Sequence, residues 1–267
     1  MKKVISMFVV ILVAFSAIQA MAIDRDASAI VGLGYSLQNF DGTSGNAFLL
    51  NAEIATSSIS NAPFGLIIGG DMGTWDSDEE FKELSLGVAW YASKELSLRL
   101  IGTFGQNEWS GGMNGSLDGT EIDGNVDAES TSYGLSLSLK YRLIPADNNI
   151  SPYIAASLGF RQADAEATGG EITLTAPRGY YWVETGGRSM TVAAQDSVEY
   201  DYDPTISFSI SPGVDVMLTR NFGVTLDSGI GMSNGGATVT VQDFGIASED
   251  GMKTFWWLGA GVKYYFP

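Results

Sequence analysis

The chain has 267 residues, with 31 Asp and Glu against 14 Lys and Arg for a formal charge of −17, and it contains neither Cys nor His. So large an acidic excess argues against a phosphate-backbone ligand, and no nucleic-acid partner is expected. Lacking thiols and imidazoles, the chain has no disulfide framework, no thiolate or imidazole metal centre and no Ser-His-Asp chemistry; neither a metal nor another cofactor is expected.

The first 22 residues read as an export signal. Lys2 and Lys3 give a positive start, Val4 to Ala17 is an apolar run, and Ala20-Met21-Ala22 has the small-x-small form that a signal peptidase cleaves. The run falls short of the roughly 20 residues a spanning helix needs. Residues 1–22 are therefore expected to be removed, leaving 23–267 as a single exported domain.

The remainder lacks helical periodicity. It alternates with period two between clusters of Gly, Ser, Asn and Asp, the pattern of strands with two differently solvated faces separated by turns. Ten strands are predicted, over 27–40, 46–56, 64–75, 81–91, 95–105, 131–143, 152–162, 204–217, 222–232 and 253–266. Every second connection is short, at 57–63, 92–94, 144–151 and 218–221, while those of the other set include 106–130, 163–203 and 233–252. Short turns on one rim and long loops on the other is the asymmetry of a membrane β-barrel.

In the sixth strand Tyr133, Leu135, Leu137, Leu139 and Tyr141 alternate with Gly134, Ser136, Ser138, Lys140 and Arg142; in the eighth, Ile206, Phe208 and Ile210 alternate with Ser207, Ser209 and Ser211. Across all ten strands the mid-strand charges Glu53, Asp71, Arg99, Lys140, Arg142, Arg161, Asp215, Asp227 and Lys263 fall on the small or polar parity. Only Lys82, at a strand end, falls on the apolar one. A Lys or Arg facing lipid near the midplane costs about 2–4 kcal/mol. These nine residues are therefore expected to line the lumen as an ion-pair network rather than as an acid–base pair for catalysis. Apolar rows that face out rather than in are chosen by the aromatics. On the apolar parity Phe64, Trp90, Tyr141, Tyr264 and Phe266 fall near the short-turn rim, and Phe48, Phe104, Tyr133, Phe160, Phe208 and Trp256 toward the long-loop rim. Two such girdles are what amphipathic rings form at bilayer interfaces.

The last strand, Trp256-Trp257-Leu258-Gly259-Ala260-Gly261-Val262-Lys263-Tyr264-Tyr265-Phe266, has a Gly-x-x-aromatic-x-aromatic ending that resembles the assembly signal of Gram-negative outer-membrane barrels. Gly261, Tyr264 and Phe266 occupy the signal positions; Pro267 follows where the family usually stops at the aromatic. In gross form the mature chain resembles the OmpA-like and Opa-like small barrels. The resemblance implies an all-β, antiparallel, up-and-down transmembrane barrel in the outer membrane. Its implied partners are membrane lipid, lipopolysaccharide and the barrel assembly machinery. Outer-membrane barrel hydrolases rely on His, and this chain has none.

Of the 31 acids, 22 fall in the long connections and the neighbouring loop tips, opposed there only by Arg178 and Arg188. Such charge is usually a solvated surface, and it also attracts cations, basic peptides or lipopolysaccharide-bridging ions. Within 118–129, Asp123, Asn125 and Asp127 have EF-hand spacing, but Ala128 stands where that loop needs Gly and Gly134 where it needs Glu. These alternating residues read instead as barrel strands continued beyond the bilayer. The longest connection holds two β-like runs, 171–175 and 180–184, each too short to cross a membrane. Arg178, Tyr180, Tyr181, Trp182 and Arg188 form a candidate interaction cluster, or else pack a hairpin of the loop itself. The functional expectation is a non-enzymatic outer-membrane barrel with a structural or surface-interaction role, adhesion to an extracellular ligand or host surface included. The alternative is a narrow, weakly cation-preferring, porin-like pore.

Overall fold

The computed structural model describes residues 29–40, 43–55, 64–75, 79–117, 119–145, 148–183, 185–241, 244–247 and 251–266. The expected export signal, residues 1–22, lies outside them. Ten strands, numbered in chain order with four shorter ones, form a closed antiparallel barrel: β1 (Ala29–Phe40), β2 (Thr43–Ala55), β3 (Phe64–Trp75), β4 (Glu79–Tyr91), β5 (Leu96–Leu117), β6 (Thr120–Arg142), β7 (Ile150–Thr175), β10 (Thr205–Met217), β11 (Phe222–Ser233) and β14 (Lys253–Phe266). The shorter strands, β8 (Ser189–Ala193), β9 (Val198–Tyr202), β12 (Ala237–Val241) and β13 (Phe244–Ala247), lie in the long connections. The first and last strands close the cylinder, paired from Ala29 with Phe266 to Phe40 with Phe255, while β7 pairs with β10 across the longest connection.

Three strands greatly outrun their predicted ends: β5, β6 and β7 have 22, 23 and 26 residues. The stretch 106–130 is thus a tall hairpin. From Phe104 to Leu117, β5 climbs roughly 40 Å at about 3.3 Å per residue. At the top Leu117 pairs with Thr120, and Gly119 in the two-residue connection takes φ 81°, a left-handed conformation glycine adopts without strain.

The run 171–175 is the end of β7, paired with β8. The run 180–184 is not a strand over its described part, 180–183, because glycines with positive φ flank it, Gly179 at 92° and Gly186 at 63°. There the Tyr180 N–H donates to Pro177 O and the Gly186 N–H to Trp182 O, which folds the chain into turns.

The apolar rows face outward, as the sixth and eighth predicted strands require. Leu135, Leu137, Leu139 and Tyr141, and Ile206, Phe208 and Ile210, are exposed, while Ser136, Ser138, Lys140, Ser207, Ser209 and Ser211 are buried. All eleven aromatics of the two expected girdles are exposed on the outer wall. An exposed apolar belt around a closed cylinder in which each of the ten strands pairs with a neighbour on both sides is the geometry that hydrocarbon demands.

Buried apolar side chains form two separate clusters. One lies near the short-turn end of the bore, with Ile30, Ile67, Ala89, Tyr91 and Tyr265. The other sits above the membrane, where Trp109, Met113, Ile122, Val126, Ile172, Leu174, Met190, Val198, Val239 and Val241 pack inside the extension of β5–β7 capped by β8, β9 and β12.

Candidate functional site

Inward positions on alternating residues bring the predicted lumenal charges into two tiers. Toward the short-turn end Asp215 is a hub: its carboxylate lies 2.5 Å from Lys263 Nζ, 3.2 Å from Lys140 Nζ and 3.5 Å from Arg142 Nη2. Glu53 pairs with Arg99 at 3.1 Å, and Lys140 also stands 3.3 Å from the centroid of the Tyr153 ring. Nearer the middle Arg161 reaches across β6 and β5 to Glu83 at 2.9 Å and donates to the Ser132 hydroxyl at 2.5 Å. Asp71 faces this pair, directly opposite Glu83 in the β3–β4 register. Asp227 lies against Gly259 and joins none of these pairs among the described residues.

The bore is not lined by polar groups alone. Phe40, Phe255 and Trp257 stack in its upper part with ring centroids 5.8 and 6.0 Å apart. Three of the large inward rings, Tyr153, Phe255 and Trp257, fit because each meets a glycine on the strand beside it. Trp257 lies over Gly229 and Tyr153 over Gly213, each ring occupying the space a Cβ on that glycine would take. This pairing of bulk with absence fills a ten-stranded cylinder without strain. A cavity of about 30 Å³, beside the inward glycines Gly32, Gly34, Gly259 and Gly261, is the size of one or two waters. Glu83, Tyr153 and Trp257 were not among the expected lumenal residues, though all three share the inward parity of their strands.

On the outer surface above the membrane, β4, β5, β6, β7 and β9 place one glutamate each in a single lateral row. Glu80 is opposite Glu108, Glu108 opposite Glu129, Glu129 opposite Glu166 and Glu166 opposite Glu199. All five are exposed. Like charges directly opposite destabilise a sheet, so the row acts against the stability of the extension. Asp123, Asn125 and Asp127 also lie on extended β6, where alternate side chains stand about 7 Å apart. They form no ion-wrapping loop, and Asp127 instead accepts a hydrogen bond from the Ser110 hydroxyl at 2.5 Å.

The aromatic cluster in the longest connection is divided by the fold. The Trp182 indole N–H donates to Leu174 O at 3.2 Å, and Arg188 donates through Nε and Nη2 to Ala176 O at 3.3 and 2.8 Å. These two tie the loop down. Arg178, Tyr180, Tyr181 and Val183 are left exposed at the tip. At the other end of the molecule Tyr264 and Phe266 point outward with centroids 4.8 Å apart, and Gly261 is opposite Gly34 across the barrel seam.

Inside the extension, Trp109 meets Tyr200 edge-on and Tyr200 stacks on Tyr202 at 6.0 Å. Burial pushes the Tyr200 phenol up to about 12, and burial together with the neighbouring Tyr200 raises Tyr202. An unfolded tyrosine ionises near 10, so both groups favour the folded extension below that pH and withdraw that support as pH rises through the folded value. Alkaline titration followed by protease sensitivity of the connection between β7 and β9 should show the extension loosening above about pH 10. A flat response through pH 12 would contradict this packing.

No family model matches the sequence, and no curated protein is significantly similar to it. Solved structures similar to this chain include the translocator domain of the autotransporter NalP from Neisseria meningitidis, at 12% identity over 90% of this chain and 89% of that one with TM-score 0.45. They include the outer membrane protein OprG from Pseudomonas aeruginosa, at 11% identity over 90% and 96% with TM-score 0.43. The outer membrane protease OmpT from Escherichia coli is similar at 11% identity over 93% and 100% with TM-score 0.41. By its own wall and belt, this protein is a transmembrane β-barrel of the outer-membrane type.

Proposed function

We propose that the chain is a non-enzymatic, non-conducting outer-membrane protein that holds a rigid β-extension away from the cell for contact with an extracellular ligand or host surface. The observation that carries this reading is the extension's own apolar core, from Trp109 to Val241, which keeps the exposed Arg178, Tyr180, Tyr181 and Val183 at a fixed height. A loop that served only as solvated surface would not require such a core. Exposed rings beside arginine are the composition of contact hot spots. Below the extension, cross-bore ion pairs and stacked rings obstruct passage, which disfavours the porin-like alternative. The chain's acidic exterior suits cation-bridged contact with lipopolysaccharide. Gly261, Tyr264 and Phe266 are the residues we assign to the assembly machinery, after export directed by residues 1–22.

Two measurements test this reading. Reconstituted in planar bilayers, the protein should be silent, and discrete conductance steps would put the pore reading in its place. A Tyr180→Ser, Tyr181→Ser double variant should assemble normally yet lose cell-surface adhesion. Unchanged adhesion would remove the tip from the function.

A further inference from the structure

We propose that the protein pairs with a second copy of itself within the membrane, through the outer face of β10 and β11 at Pro212 and Ser228. The ladder between these strands runs from Ser207 with Ser233 to Ile210 with Ile230 and resumes at Gly213 with Asp227, passing over Ser211 and Pro212. On its other side β10 pairs with β7 without a break, Pro212 with Ile154 included. Proline has no N–H to donate, and the interruption falls on the β11 side, so the missing donor is the one owed to the carbonyl opposite, that of Ser228. No N–H from a turn or loop supplies that carbonyl instead among the described residues. The place is deep in the wall. Ser228 lies on the outward row of β11 between Met232, opposite Phe208 of the upper girdle, and Phe222, opposite Tyr264 of the lower. A backbone group left unmatched in hydrocarbon is costly, because no water reaches it.

A second copy is the partner that matches this defect. Ser228 carries a hydroxyl donor beside the unmatched acceptor, while the outward rows of β7, β10, β11 and β14 are otherwise apolar between the girdles. Copies of one chain stand in the membrane in the same orientation, so a two-fold axis along the membrane normal sets equal depths against each other. Each Ser228 hydroxyl then donates to the Ser228 carbonyl of the other copy, and two chains satisfy what one leaves open. Acyl chains bring no donor. The surroundings permit the approach: Pro212 faces Ser228, and Ala156 and Ala260 lie one outward step along on the flanking strands. Small residues let two backbones come close in lipid. Ile230, the next outward residue on β11, is 70% exposed, more than any other side chain of the membrane wall, and a close-fitting partner covers it.

Counting chains in lipid bilayers tests the pairing. With one dye on Thr219→Cys, in an exposed short turn, photobleaching should show single steps at high dilution and double steps as protein density rises. Ser228→Ala should raise the density needed for half-dimerisation about tenfold, the effect of losing two interchain hydrogen bonds in lipid. Pro212→Ala, which returns an N–H to β10, should also weaken the dimer while raising the melting temperature of the monomer; a residue that served the barrel alone would change melting and leave dimerisation as it was. Heat-modifiable gel migration verifies that both variants fold. Mild oxidation should link chains carrying Ile230→Cys and spare those carrying Leu86→Cys, which lies on β4 across the cylinder from β11. The proposal is overturned by single steps at every density, by a dimer that neither substitution weakens, or by linkage through position 86 rather than 230. None of these results bears on adhesion or conductance.

Discussion

Replacing Asp215 by Asn should lower stability by about 3–5 kcal/mol, the usual consequence of removing one partner from a buried ion pair. The size follows from what is left behind. Lys140, Arg142 and Lys263 converge on this one carboxylate at 3.2, 3.5 and 2.5 Å, and all three are almost wholly buried. Asparagine retains the shape and one acceptor but removes the charge that allows three cations to share a narrow bore. A second change should return part of the loss, since Lys263→Met in the Asp215→Asn background removes one of the unmatched cations. Asp227→Asn should cost much less, because Asp227 is outside the hub's ion pairs. Urea titration of tryptophan fluorescence in micelles gives all four midpoints. Equal midpoints for Asp215→Asn and wild type would mean that the hub does not hold the barrel.

The second large effect concerns the extension. Leu174 is fully buried among Trp109, Ile122, Val126 and Ile172, and its replacement by Ala should cost about 2–5 kcal/mol through lost burial and the cavity left behind. That loss should be local. The extension's core is a separate cluster from the one in the bore, so its opening need not involve the barrel. Limited proteolysis should cut Leu174→Ala between β7 and β9 while heat-modifiable gel migration, the mark of an intact barrel, is unchanged. Loss of both together would show a single cooperative unit.

The barrel was readable because hydrocarbon imposes a strict rule on alternate residues. The row Leu135, Leu137, Leu139 lies on the opposite parity from Lys140 and Arg142, so alternation separated the two faces, and the aromatic girdles decided which of them meets lipid. Glu83 escaped because Glu79-Glu80-Phe81-Lys82-Glu83 carries charge on both parities. Partners across the bore were illegible for a different reason. Lys140 meets Asp215 over 75 residues of sequence, and Arg99 meets Glu53 over 46, which only the stagger of the strands decides. The alternation within 118–129 was legible as strand continued beyond the bilayer, but the hydrophobic interior of the extension was hidden by composition: Gly111, Gly112, Gly115 and the dense acids mask Met113, Ile122 and Val126, which keep the inward alternation. The turn at Gly119 was likewise written in an Asp-Gly pair between alternating residues. In the tip, Trp182 and Arg188 look like their exposed neighbours in sequence, and only their hydrogen bonds to Leu174 and Ala176 separate anchors from contact residues.

Because the chain has no cysteine, a single spin label can be placed anywhere without altering the background. Labels introduced by Leu137→Cys and Ser138→Cys sit on adjacent residues of β6 that face opposite ways, 43% and 1% exposed. In lipid bilayers, paramagnetic relaxation by dissolved oxygen should be strong at position 137 and weak at 138. Equal relaxation at the two positions, or the reverse order, would contradict the arrangement of the wall from which the bore, the extension and the tip all follow.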